Sequence, residues 1–289
     1  MSLAFQSEHA VIAATPAAGG SSPKSHPVKL WSTLNDVFEL LRIERPRCVR
    51  GDLCRFQHMQ FRPRQRIHTI GEPFDTLYVV NGGFLKTVTL DEFGHELVLG
   101  FPMKGELIGV ESVHRKFYST EAVALSNCDV ILIPFTVFLS LGQDHPALAP
   151  SLFAMMSRAI EHEHTTVNLL GALTSEARLA RFLVWMSRRF AEMGYSSTEF
   201  KLHMTREEIG LYLGSTLETV SRAFSALGSS GLISVKQRSV IIHDLEGLRM
   251  LRRLTPARMR LRQNKEAATR RTPGIYASSA ISSISTQEP

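Results

Sequence analysis

"MTREEIGLYLGSTLETVSRAF" (residues 204–224) holds two short apolar-periodic segments on either side of Gly214. Thr205 stands three residues before Glu208, the spacing at which a threonine hydroxyl accepts from a first-turn amide while the glutamate reaches back to the cap. A helix is expected to start there and end at Leu213. Gly214 permits a tight reversal, and Thr216 is placed to cap a second helix, "LETVSRAFSALG", whose Leu217, Val220, Phe224 and Leu227 share one side. Two short helices joined by a brief turn make a helix-turn-helix.

With those four residues turned inward, positions 218, 221, 222 and 225 gather on the opposite face, near the end of a recognition helix that enters the major groove. Arg222 suits guanine O6 and N7, Glu218 suits the exocyclic amine of cytosine or adenine, and Ser221 serves a base or a phosphate. These three are the expected base-reading residues. Thr205, Thr216 and Thr219, at the helix starts, are expected on the DNA backbone. Downstream, "GLISVKQRSVIIHDLEGL" offers two β-runs around Lys236 and Arg238, a wing with its tip toward phosphate. The bland alternative is that Glu218 favours the positive helix start and Arg222 is solvated surface.

Upstream the pattern changes. "DTLYVVNGGFLKTVTLDEFGHELVLGFPMKGELIGV" (75–110) consists of β-branched and aromatic runs broken at Asn81 to Gly83, Asp91 to Gly94 and Pro102 to Gly105, as in hairpin-linked strands of an antiparallel sandwich or barrel. From about Pro146 to Leu173 the apolar period is helical. Along that helix Phe153, Met156, Ile160, Glu163, Val167 and Leu170 follow steps of three and four, a coiled-coil seam interrupted by one acid, expected at a dimer interface. Packing of the stripe onto the chain's own β-domain is the competing account. His162 and His164 point to different helix faces and do not form a metal pair. A further helix, "SEARLARFLVWMSRRFAEMG", presents Leu179, Phe182, Leu183, Met186 and Phe190 as one stripe and stops at Gly194.

The 289 residues, 44% hydrophobic and 21% charged, fall in the ordinary globular range. The Ala-, Ser-, Pro- and Gly-rich stretch at 1–27 lacks a basic n-region and an unbroken apolar run, so it reads as a flexible arm and not as a secretory signal. No run of eighteen apolar residues marks a membrane span, and three cysteines form no paired framework, so a reducing cytoplasm is expected. The charge of +6 and pI near 9.4 fit a polyanionic partner, but eight Arg or Lys against the single Glu266 concentrate +7 between Arg252 and Arg271, leaving −1 elsewhere. That tail reads as a solvated, disordered extension, with sequence-independent phosphate contact as the alternative.

"MTREEIGLYLGSTLETVSRAFSALGSSGLI", with "GELIGVESV" and the helix from Ser175, resembles the Crp/Fnr family of bacterial transcription regulators, specifically the Fnr branch with its Glu-x-x-Ser-Arg signature at Glu218, Ser221 and Arg222. The resemblance covers roughly residues 56 to 250. It implies an α+β fold: an antiparallel β-roll of the cyclic-nucleotide-binding, double-stranded β-helix type, a long dimerisation helix and a C-terminal winged helix-turn-helix. It also implies a homodimer on double-stranded DNA at a site resembling TTGAT-N4-ATCAA and an activator's contact with RNA polymerase; it does not transfer the effector, and control by a redox, oxygen or other signal is expected. The hairpin tip Asp91, Glu92, Phe93 and Gly94 falls where the family's polymerase-facing loop lies. Fnr-type proteins resemble this chain in carrying an acid like Glu163 in the helix, which implies a monomer–dimer balance that a signal tips.

The expected domains are an arm at 1–45, a β-roll sensor at 46–145, the dimerisation helix at 146–173, the winged helix-turn-helix at 174–250 and a basic tail at 251–289. Cyclic-nucleotide-binding relatives carry Arg-Ser or Arg-Thr where this chain has Tyr118-Ser119, and Arg115 and Lys116 lack the family spacing, which argues against cyclic nucleotide. Cys48 and Cys54 echo one spacing of the family's iron-sulfur group, but Cys128 does not align with its β-roll ligand, which falls near Ile131, so a cluster is disfavoured. A thiol switch between Cys48 and Cys54, each beside arginine, is the alternative to ordinary surface cysteines. A cupin-like enzyme would need paired metal ligands, whereas His68, His95 and His114 are scattered. A non-specific architectural DNA protein would not need base-edge chemistry at 218–222. No metal site and no catalytic residue is expected.

Overall fold

Continuous apolar runs such as Leu77 to Val80 mark strands buried on both faces, because alternate side chains then enter different layers. The computed structural model describes the backbone at 31–44, 54–170 and 174–251, and the side chains of the same residues except 161–170. Along the chain it contains β1 (Trp31–Thr33), α1 (Leu34–Leu40), β2 (Arg55–Phe61), β3 (Arg66–His68), β4 (Thr76–Gly82), β5 (Leu85–Leu90), β6 (Glu96–Gly100), β7 (Leu107–Ile108), β8 (Glu121–Ala124) and β9 (Cys128–Pro134). Then follow α2 (Phe135–Asp144), α3 (Ala149–Leu170), α4 (Ser175–Glu192), β10 (Glu199–Lys201), α5 (Arg206–Tyr212), α6 (Leu217–Ser229), β11 (Ile233–Lys236), β12 (Ser239–Ile242) and α7 (Leu245–Leu251).

Two antiparallel sheets, β1-β2-β9-β4-β7 and β3-β8-β5-β6, build the N-terminal domain. On β4, Leu77 and Val79 join the core beneath α1, α2 and the start of α3, whereas Tyr78 and Val80 join Leu85, Tyr118 and Val130 in the other layer. The turn into β5 requires Gly83, whose φ is +91° and where a Cβ would sit 2.5 Å from the Asn127 carbonyl oxygen.

Part of the stretch expected as an arm over 1–45 is instead folded. Residues 31–44 are folded: β1 pairs antiparallel with β2, and a capping box between Thr33 and Asp36 starts α1, which buries Leu34, Val37 and Phe38. A polar chain fastens β1 further. The Ser32 hydroxyl and His58 Nε2 share a hydrogen bond (2.7 Å), His58 Nδ1 donates to the Asp129 carboxylate (3.0 Å), and the Asn81 amide donates to the same carboxylate (2.6 Å). Residues 1–30 lie outside the described residues, as do 45–53 and the basic tail from 252 onward.

The long helix expected over 146–173 is α3, entered through a 3-10 turn at Pro146–Leu148. Helix α2 and strand β10 are additional to the expected elements. In the C-terminal domain, α4 buries Leu179, Phe182, Leu183, Met186 and Phe190 as its stripe predicts. Strands β10-β12-β11 form a small sheet beside the helices. One apolar cluster crosses between the domains: Val88, Val98, Phe101 and Met103 of the sheet domain pack with Ile209, Tyr212 and Leu213 of α5.

Candidate nucleic-acid interface

Both helices of the C-terminal motif start as their spacing dictates. The Thr205 hydroxyl accepts from the Glu208 amide (3.1 Å) and the Glu208 carboxylate accepts from the Thr205 amide (2.7 Å), a reciprocal cap for α5. The Thr216 hydroxyl accepts from the Thr219 amide (3.3 Å) at the start of α6. Between them the chain reverses at Gly214 (φ +59°), and Arg178 of α4 donates to the Leu213 carbonyl at 3.0 Å, tying the turn to the domain. Gly210 lets the second helix approach, since a Cβ there would lie 2.8 Å from the Ser215 carbonyl oxygen.

Helix α6 buries Val220, Ala223, Phe224 and Leu227. Leu217 departs from the expected buried side: as the first helical residue it projects past the packed face and is 44% exposed, and Ala223 takes its place in the core. Glu218, Arg222 and Ser225 are exposed and Ser221 is half-buried, so the structure brings the predicted reading residues onto one open face. The Glu218 carboxyl is held below its usual range by its own amide, by the Thr216 hydroxyl and by the nearby Arg222 guanidinium. The Glu218 carboxylate and the Arg222 guanidinium therefore share that face.

The wing forms from β11 and β12, which pair from Ile233↔Ile242 to Lys236↔Ser239, and its tip turns at Gln237 (φ +56°). Lys236 and Arg238 are exposed there, with Arg238 Nη1 donating to the His203 carbonyl at 2.9 Å. Arg206, unremarked in the sequence, lies between helix and wing. Its guanidinium carbon sits 3.2 Å over the centre of the Phe224 ring and one nitrogen reaches the Gln237 carbonyl (3.5 Å). Burial pushes its pKa down to about 10.

In the sheet domain, Asp91 organises the β5–β6 turn: its carboxylate accepts from the amides of Phe93 and His95, both at 2.8 Å. With Gly94 at φ +83°, the turn leaves Phe93 77% exposed beside exposed Glu92. On α3, Phe153 and Ile160 are 73% and 51% exposed and Met156 is partly buried. Glu163, Val167 and Leu170 have side chains outside the described set.

In the β-roll interior, Tyr118 occupies the position for which the nucleotide-binding pattern calls for arginine. Its ring stacks on His68 (4.2 Å between centroids) and its hydroxyl donates to the Thr76 carbonyl at 2.6 Å. Burial is the main cause that drives its pKa far up, so the phenol stays neutral and offers no positive charge to a phosphate. Glu106 of the Gly-Glu-Leu turn accepts from the Met103 amide at 3.1 Å and pairs with Arg189 of α4. These residues do not supply the guanidinium clamp of a cyclic-nucleotide site. For a cluster, the described residues provide Cys54, half-buried, and Cys128, whose thiol donates to the Phe84 carbonyl (3.2 Å) and is pushed up by burial. Ile131 is buried core on β9, no group of three metal-ligating side chains gathers among the described residues, and Cys48 lies outside them. The described residues do not fit a cluster.

Residues 177–251 match the Crp-like helix-turn-helix domain model and residues 58–145 the cyclic nucleotide-binding domain model. The transcriptional regulatory protein btr of Bordetella pertussis is 42% identical over 185 residues, 64% of this chain and 76% of that protein. The chain belongs to the Crp/Fnr family of transcription regulators. Another family relative, the transcriptional activator protein anr of Pseudomonas aeruginosa, is 38% identical over 60% of this chain and 71% of its own length. Among solved Crp/Fnr structures, FixK2 from Bradyrhizobium japonicum superposes with a TM-score of 0.61 at 28% identity, covering 68% of this chain and 96% of that one. The family consists of DNA-binding regulators and not enzymes, which sets aside the cupin-like alternative. No described helix is long and apolar enough to cross a membrane.

Proposed function

We propose that this Crp/Fnr regulator binds a TTGAT-N4-ATCAA-like palindrome as a homodimer and activates transcription through a contact with RNA polymerase. The observation that carries the reading is the open face of α6, where Glu218, Ser221 and Arg222 stand together above a buried stripe. Arg222 takes the guanine of each half-site, Glu218 an exocyclic amine, and Ser221 a base or phosphate. Thr205, Thr216, Thr219, Lys236 and Arg238 hold the backbone and set the register.

The seam Phe153, Met156, Ile160, Glu163, Val167 and Leu170 forms the dimer, and the exposure of Phe153 and Ile160 supports it. Asp91, Glu92, Phe93 and Gly94 present the polymerase contact, supported by the exposed Phe93. The sensor is 46–145 extended by β1 and α1, α3 is the dimerisation helix, and the reader begins at 174. The signal is oxygen, redox state or another input that does not use the cyclic-nucleotide arginine; Cys48 and Cys54 are the thiols to test for a redox switch. Selection of the full chain on randomised duplexes tests the reading: an enriched inverted repeat with guanine at the Arg222 position supports it, and recovery of unrelated sequences refutes it.

A further inference from the structure

Glu208 makes one contact inside the C-terminal domain and another outside it. Its Oε2 closes the cap on the Thr205 amide at the start of α5. Its Oε1 lies 3.3 Å from Nζ of Lys86 on β5, and the same ammonium donates to Glu96 Oε1 on β6 at 2.7 Å. The Lys86 and Glu208 side chains are only 15% and 16% exposed. Burial opposes the lysine charge, but the two carboxylates outweigh it and leave Lys86 more basic than usual. A lysine serving the hairpin alone would be satisfied by Glu96; this one also grips the helix cap of another domain.

The surroundings fix that grip. Phe101, just after β6, meets Tyr212 of α5 edge-on at 5.0 Å between centroids, and Phe84, just before β5, stacks on His203 at 4.1 Å and 15°. Val88 of β5 and Val98 of β6 lie in the same apolar cluster as Ile209. Apolar packing holds α5 near the hairpin without specifying the direction of its first turn, because such contacts are non-directional. The ion pair acts at the end that does matter, one turn from Thr205.

We propose that Lys86 is a positioning residue for DNA reading: by holding the capping carboxylate of Glu208, it lets the β5–β6 hairpin of the sensor set the pose of α5 and, through the turn at Gly214, of α6. This rests on α5 and α6 being the DNA-contacting pair. Lys86 touches no DNA itself. A displacement of the hairpin is delivered to the phosphate-facing end of α5 through one side chain, which gives the sensor a direct mechanical hold on the reader.

The test uses the full chain carrying Lys86→Gln, Glu208→Gln, both together, or Lys86→Arg. Glutamine at 208 keeps an acceptor for the Thr205 amide, so the cap survives. Fluorescence anisotropy with the palindromic duplex and a scrambled duplex, repeated across salt, reads affinity and its salt slope. Each single glutamine variant should weaken palindrome binding about tenfold, the double variant no further, and Lys86→Arg should stay within about threefold of wild type. The salt slope should not change, because a positioning lysine releases no counterions; a slope lowered by about one would make Lys86 a phosphate contact and overturn the proposal. Wild-type affinity in Lys86→Gln, or losses that multiply in the double variant, would overturn it too. If Lys86→Gln fails to fold, Glu208→Gln decides alone, since it keeps the cap and removes the pair. Failure of the wild type to prefer the palindrome would instead remove the reading of α5 and α6 on which the proposal stands.

Discussion

Replacing Arg222 with alanine separates base reading from folding. Helix α6 is anchored by the buried Val220, Ala223, Phe224 and Leu227, whereas Arg222 is exposed. Truncating an exposed side chain away from a packed face changes stability by no more than about 0.5 kcal/mol, so the variant should fold and melt like the parent. A bidentate arginine–guanine contact is worth about 1–3 kcal/mol of base discrimination, and a twofold dimer makes it twice, for a total of about 2–6 kcal/mol. At about 1.4 kcal/mol per decade, that is a loss between about thirtyfold and twenty-thousandfold on the palindrome. Affinity for scrambled DNA should fall far less. The Arg238→Ala variant is the contrast: it removes a wing-tip charge, so binding to all sequences should weaken alike and the salt slope should drop by about one per subunit. Competitive binding selections on randomised half-sites make the comparison. Arg222→Ala retaining the parental base preference would refute the assignment of α6 as the reading helix.

Substituting Phe93 with alanine should lower activated transcription in vitro by severalfold while leaving DNA affinity unchanged, because the side chain is exposed and is not among the residues assigned to DNA; equal losses in both assays would count against a polymerase contact. Glu163→Ala should tighten self-association in a dilution series by analytical ultracentrifugation, since the proposed seam would set two carboxylates against each other where screening is poor; an unchanged or weaker dimer would refute the seam. Stability should also depend on pH. Burial depresses the His68 pKa below its ordinary 6.5, as it does for His203, where Lys201 and Arg238 add to the effect. The unfolded chain then binds more protons below pH 6.5, so the melting temperature should hold above that pH and fall as pH drops through and below it. His68→Phe should flatten part of that fall and leave the part due to His203; a parent whose melting temperature rises on acidification would contradict the burial argument.

Local spacing made the C-terminal domain legible. Thr205 to Glu208 and Thr216 to Thr219 are contacts within one helical turn, so their sequence separation states their geometry, and both caps form. Strand runs and their glycine breaks were legible for the same reason. Leu217 was misplaced because periodicity assigns a face without weighing position at the helix end, where no preceding turn covers the side chain. The folded segment 31–44 was hidden behind a low-complexity stretch, although Thr33 and Asp36 carry a capping spacing ahead of Leu34, Val37, Phe38 and Leu41. Long-range pairings were not legible at all. Lys86 reads as the outward residue of an alternating strand, Glu106 as part of a turn and Glu208 as a cap, and only the fold shows that all three face another domain.

In the proposed function, Glu218, Ser221 and Arg222 on the open face of α6 give this protein a sequence-specific hold on a palindrome. Fluorescence anisotropy of the full chain on a TTGAT-N4-ATCAA duplex and on a scrambled duplex of equal length, across a salt series, tests it most directly. Specific binding exceeds non-specific binding by about a thousandfold or more at physiological salt, and the gap should persist as salt rises because base contacts release no counterions. Equal affinities for the two duplexes at every salt concentration would contradict the account.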